Sequence, residues 1–245
     1  NNSLGTLYSY QDIYETALPL YKKTLSLLEG SNDSTRISLA LRNTARVFTE
    51  TQQLDSAIYY YQQAIKTATP ESSSSLYNDL GSLYMKIGQY EEAGDCIQKS
   101  IQTCFTPSLE YHLFLTYGEY LLKTAQYDSA QYYLSQSLQS PNIYTQAGSL
   151  YFLAQIKRKK SDFTDYFKYW DHYEQLRDSI RVNSHYENIR MTQSMFNYQH
   201  IADEKLKYEQ EAARQMIIIY QILIITVFLF LTGFFFFKKE QKKKK

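Results

Sequence analysis

The sequence predicts an all-α protein: a solenoid of about five helical hairpins, then a long helical stalk and one transmembrane helix. Three observations lead there. Only 8 Gly and 4 Pro among 245 residues leave little turn chemistry for many short strands. A small residue recurs at Ala57, Ala93 and Ala130, thirty-six and then thirty-seven positions apart. From Met216 to Phe237, twenty-two residues pass without a charge.

The repeat justifies the hairpins. An aromatic residue or Leu stands three before each small residue (Leu54, Tyr90, Tyr127), and a bulky one follows four later (Tyr61, Ile97, Leu134). Another small residue comes at seven (Ala64, Ser100, Ser137), and a Pro closes each unit (Pro70, Pro107, Pro141). In the middle unit, Tyr77, Leu80, Gly81 and Tyr84 fall on one helical face at i, i+3, i+4 and i+7. "KIGQY" breaks the helix at Gly88, and Ala93, Ile97, Ser100 and Ile101 form the inner face of a second helix. Small side chains at Gly81 and Ala93 let the two backbones approach closely. One such hairpin cannot bury its own apolar faces, so it must stack on others.

This pattern resembles the tetratricopeptide repeat (TPR). Leu80-Gly81, Tyr84, Gly88, Tyr90 and Ala93 match the family's signature in order, and a later unit keeps Gly118, Tyr127 and Ala130. The unit before is looser, with Thr44-Ala45 in place of Leu-Gly and Ala57 at the small position. At the front, Leu4-Gly5, Tyr8, Tyr14, Ala17 and Tyr21 stand at matching offsets. That unit opens part-way through its first helix, which creates the expectation that native residues precede Asn1, with or without a removed leader. A degenerate fifth unit keeps Leu153-Ala154 and Phe163 but puts Tyr166 at the small position. Overpacking such a site costs about 1–3 kcal/mol unless something compensates, so this unit is expected to pack differently. The expected units are residues 1–30, 38–71, 74–107, 111–144 and 147–173.

The resemblance implies a right-handed superhelix whose first helices line a concave face that holds a protein or peptide ligand. Applying the family's groove offsets, the candidate lining residues are Arg42, Arg46, Asn78, Ser82, His112, Glu119, Tyr151 and Arg158. Arg42 and Arg46 are four apart and share a face, as a carboxylate holder or as an ordinary solvated face. The set departs from the Lys/Asn carboxylate clamp of chaperone-binding relatives, so a chaperone tail is not implied. The abundant tyrosines, including Tyr59, Tyr60, Tyr61, Tyr132 and Tyr133, suit either inter-repeat packing or a ligand surface.

Residues 174–215 lack Pro and Gly and are rich in helix formers, which predicts a helical stalk. Val182, Ile189 and Phe196 recur every seven, but the series runs on to Asp203 and Gln210, a poor coiled-coil seam. The stalk is a candidate for homo- or hetero-association. The uncharged run that follows is about 33 Å long as a helix, enough to cross a hydrocarbon core of about 30 Å. Lys238, Lys239, Lys242, Lys243, Lys244 and Lys245 come next and favour a cytoplasmic end for residues 238–245. The expected topology is single-pass, with the repeat body extracytoplasmic, that is periplasmic in a bacterium.

This layout resembles bacterial membrane-anchored TPR proteins of signalling systems, which implies a sensor or adaptor role. Those carry an output module after the span. Here eight residues follow it, so either more chain follows or the protein works through another. A tail-anchored cytoplasmic adaptor is the alternative.

Several classes find no support. The part before Arg214 holds nineteen basic and twenty-four acidic side chains and no dense basic stripe, so nucleic-acid binding is not expected. His112, His172, His185 and His200 are scattered without metal-ligand spacing, and no P-loop, GxSxG or GxGxxG occurs. Asp162 and Asp165 beside the Lys157–Lys160 run read as a charged turn. No enzyme activity, metal or cofactor is expected. Cys96 and Cys104 lie eight apart, about 12 Å on one helix and too far for a disulfide.

Overall fold

The computed structural model describes residues 2–104 and 106–243, with side chains except at 108, 185, 230 and 234–243. Among them ten helices and no strand occur: α1 (Asn2–Tyr10), α2 (Tyr14–Leu27), α3 (Ser34–Glu50), α4 (Leu54–Thr67), α5 (Pro70–Lys86), α6 (Tyr90–Gln102), α7 (Pro107–Lys123), α8 (Tyr127–Ser137), α9 (Ile143–Lys159) and α10 (Phe163–Lys243). The chain divides into two compact units, Asn1–Met191 and Thr192–Lys245. Tyr173 and Gln215, given above as ends of the solenoid and stalk, both lie inside α10.

In the first unit, consecutive helices pair as antiparallel hairpins. Each odd helix also touches the next odd one (α1–α3, α3–α5, α5–α7, α7–α9), whereas α2, α4, α6 and α8 do not touch one another. Close approach of one layer and splaying of the other bends the array, with the odd helices on the concave side.

The hairpin turns share one device. Asp12 (φ 59°), Gln52 (φ 61°), Gly88 (φ 81°), Ala125 (φ 61°) and Ser161 (φ 57°) all take the left-handed conformation just past a helix end. The N–H of the next residue then reaches back to a carbonyl in the last turn: Gln53 to Phe48 (2.8 Å), Gln89 to Tyr84 (2.9 Å), Gln126 to Leu121 (2.8 Å) and Asp162 to Lys157 (2.9 Å). This capping bond satisfies an orphan carbonyl and reverses the chain. Only one of the five turns uses glycine, so the other four bear backbone strain.

Between the helices the repeat residues form the core. Ala17, Ala57, Ala93 and Ala130 are fully buried, and Ile97 and Leu134 lie at 0% exposure. A Cβ on Gly81 would come within 2.8 Å of Ile97 Cγ1 and 3.3 Å of the Ala93 carbonyl oxygen. Gly5 and Gly118 hold the corresponding places opposite Tyr21 and Leu134. Leu4 is half-buried on α1, while Tyr90 and Tyr127 open α6 and α8. Buried hydroxyls are satisfied: Thr44 Oγ1 donates to Ala40 O (2.9 Å), Ser74 Oγ to Ser100 O (2.8 Å), and the Ser137 and Ser149 hydroxyls hydrogen-bond each other.

The fifth hairpin departs from the others. Tyr166 stacks on Trp170 (5.9 Å, 28°), and Trp170 in turn meets Tyr151 and Tyr173. Aromatic stacking takes the place of the close alanine contact. Lys157 bridges both Asp162 (3.1 Å) and Asp165 (2.8 Å) across the turn, and its bond to Asp162, followed by that from the Asp165 backbone N–H, holds the Asp162 carboxyl below its usual range.

Cys104 lies beyond the end of α6, so the two thiols do not share a helix; both are free. Burial pushes the Cys96 thiol up to about 11, which makes it inert.

In the second unit, the helical segment from Met216 to Leu229 is uncovered, with Ile217 57%, Ile224 66% and Phe228 66% exposed. Its most apolar window has a mean hydropathy of 2.4, and by length and composition this helix is able to cross a membrane. Lys244 and Lys245 lie outside the described residues, as do the side chains of Lys238, Lys239, Lys242 and Lys243.

Candidate functional site

Helices α3, α5 and α7 present their concave faces to an open groove of about 400 Å³. Arg42, Arg46, Glu50, Asp79, Ser82, Lys86 and His112 line it, with Tyr61 of α4 at its floor. A second recess of about 280 Å³ lies beside it toward α1 and α2 and shares Arg46 and Glu50 with it. The two form one surface from the first hairpin to the fourth.

One ion pair crosses it. Arg42 Nε donates to Asp79 Oδ2 at 2.7 Å, joining the second hairpin to the third. Burial alone would lower the Arg42 pKa, but the Asp79 hydrogen bond and charge outweigh it and hold the pKa above its ordinary value. Arg46, Ser82 and Lys86 have no hydrogen-bond or ion-pair partner among the described residues. His112 is exposed at the groove wall, yet the surrounding protein removes enough water to hold its pKa below the usual histidine value. Asp79 pulls that value up and Arg42 pushes it down. Burial likewise raises the Tyr61 pKa. In the neighbouring recess, the Tyr14 hydroxyl donates to Asp12 Oδ1 (2.6 Å), and this bond pushes its pKa up to about 12.

The structure thus brings Arg42, Arg46, Ser82 and His112 together. The other four positions lie elsewhere. Asn78 is 3% exposed and its Oδ1 has no partner among the described residues, so it is a core residue with little surface to offer. Glu119 is half-buried on α7, pairs with Lys123 at 3.6 Å, and has its pKa raised by burial against the opposing pull of Lys123. Tyr151 belongs to the aromatic cluster with Trp170 and Tyr173. Arg158 is exposed near the end of α9. Arg42 and Arg46 both line the groove, and Asp79 engages Arg42 alone of the two.

Glu50, Asp79 and Lys86 line the groove without having been singled out in the sequence. Glu50 and Lys86 lie one turn beyond Arg46 and Ser82, so the i+4 rule identifies them once the groove face is known. Among the described residues, no group of three or more His, Cys, Asp or Glu is placed to hold a metal ion.

A tetratricopeptide repeat model matches residues 1–69. A second model, the fourth ARM domain of tetratricopeptide repeat protein 21, matches residues 42–113. No curated protein matches the chain. Solved structures share the fold at low identity. BtubC from P. vanneervenii superposes with a TM-score of 0.61 at 14% identity, over 72% of this chain and 78% of its own. Pseudomonas aeruginosa pilF gives a TM-score of 0.60 at 20% identity, over 79% and 86%. A kinesin light chain-like repeat protein from Podosopora anserina gives 0.57 at 14%, over 74% and 94%.

Proposed function

The chain is a tetratricopeptide-repeat protein, and from that premise we propose that it is a membrane-anchored module that binds a protein or peptide ligand in the groove of α3, α5 and α7. The fold is that of a protein–protein interaction module, a class that is generally non-enzymatic. The observation that carries the groove assignment is the set of polar side chains, Arg46, Ser82 and Lys86, that line it unpartnered.

The uncovered apolar segment of α10 supports anchoring, because exposing so long a run of large apolar side chains to water is unfavourable. By the lysine bias of residues 238–245, the repeat body is extracytoplasmic and the C-terminus cytoplasmic. In this arrangement ligand capture outside the cytoplasm is carried inward through α10, the role of a sensor or adaptor.

Two measurements test this. A photoreactive side chain at Ser82 should yield covalent adducts in intact cells, whereas one at Tyr132, 60% exposed on α8, should not. Equal adducts at both sites would refute the groove. Single cysteines in the repeat body and after Lys245, in a Cys96→Ala/Cys104→Ser background, are then treated with a membrane-impermeant reagent. Labelling of the body alone supports the stated topology. Labelling of the tail alone makes the protein a cytoplasmic, tail-anchored adaptor.

A further inference from the structure

We infer that the groove recognises an acidic peptide segment through Arg46 and Lys86, and that Asp79 is an internal carboxylate that withholds Arg42 from the ligand. This rests on the groove being the ligand face and adds the chemistry of the ligand.

The argument begins with charge. Arg42 and Asp79 cancel at 2.7 Å. What remains along the groove is Arg46 and Lys86 against Glu50, none with an ion-pair partner among the described residues. Arg46 faces both recesses, but the second also holds Asp12 and Glu50, so the positive excess lies in the groove that Arg46 shares with Lys86. The local excess of positive charge opposes the body as a whole, where nineteen basic side chains stand against twenty-four acidic ones before Arg214. A long polyanion such as nucleic acid would be repelled beyond the groove and finds no cationic stripe to follow. A short acidic segment meets the two cations with Glu50 as the one unpaired carboxylate opposing it. Planar guanidinium and ammonium groups both donate charge-assisted hydrogen bonds to carboxylate. The Arg42–Asp79 pair shows that a carboxylate is accommodated at this wall, one helical turn from Arg46.

The test uses the full chain in neutral detergent micelles. Binding of fluorescein-labelled hexaglutamate and hexaglutamine is followed by anisotropy at low salt. Hexaglutamate should bind about tenfold more tightly, and the difference should shrink as salt screens it. Arg46→Gln/Lys86→Gln should weaken hexaglutamate about tenfold. Asp79→Asn frees Arg42 and should tighten binding about threefold, and Arg42→Gln/Asp79→Asn should return it to the parent value. Circular dichroism melts establish that each variant is folded.

Equal affinity for the two peptides, no binding of hexaglutamate, or weaker binding by folded Asp79→Asn would overturn the inference. If hexaglutamate fails while Ser82 still forms adducts, the acidic-ligand inference falls and the groove stands. If both fail, the groove falls too.

Discussion

Replacing Gly88 by Ala isolates the energetics of the hairpin turn. Gly88 has φ 81°, and a Cβ built there meets nothing within 4 Å, so packing does not enter. An L-residue in the left-handed conformation costs about 1–2 kcal/mol. The lower entropy of Ala in the unfolded chain returns about 0.4–1 kcal/mol. The net loss is about 1 kcal/mol. Ala125, at the corresponding turn with φ 61°, supplies the mirror experiment. Ala125→Gly should stabilise the array by about the same amount. In a unit of this size 1 kcal/mol moves Tm by about 2–4 °C, which thermal melts of the full chain in detergent resolve. Both variants keep the capping bonds, Gln89 to Tyr84 and Gln126 to Leu121. Gly88→Ala that melts with the parent, or Ala125→Gly that melts lower, would refute the turn geometry.

Two further outcomes are expected. Asn78→Leu should raise stability by about 1–2 kcal/mol, because it replaces a buried unpartnered carbonyl with an apolar group of similar size; a fall in the denaturation midpoint would reveal a partner for that oxygen. His112 binds protons less readily in the folded protein than in the unfolded chain, so stability held above pH of about 6.5 is lost as pH falls through the lower folded value. His112→Gln should therefore flatten the decline of Tm between neutral and mildly acidic pH. Parallel profiles for parent and variant would rule out this contribution.

Some of this is local chemistry and was legible in the residue order. The spacing from Ala57 to Ala93 to Ala130 registers the hairpins because each small residue must face the partner helix at every repeat. Gly88 marks a turn because glycine tolerates positive φ, but Asp12, Gln52, Ala125 and Ser161 occupy the same conformation without that marker. Their turns were legible only from the flanking repeat. Tyr166 announced an altered last hairpin, since an aromatic ring does not fit an alanine site.

The groove was legible only in outline. The family resemblance, through its groove offsets, put Arg42, Arg46, Ser82 and His112 on the odd-helix face. It carried no information on how far each helix is rotated or how closely the next one approaches. Those quantities bury Asn78, draw Tyr151 into the Trp170 cluster and bring Asp79 onto Arg42 across thirty-seven residues. By itself the sequence determined the repeat, its helices and the apolar segment of α10, because each follows from a period that neighbouring residues impose. Only the tertiary structure decided which groove charges stay unpaired, because cancellation of a charge depends on a distance between hairpins, and a sequence period contains no such distance.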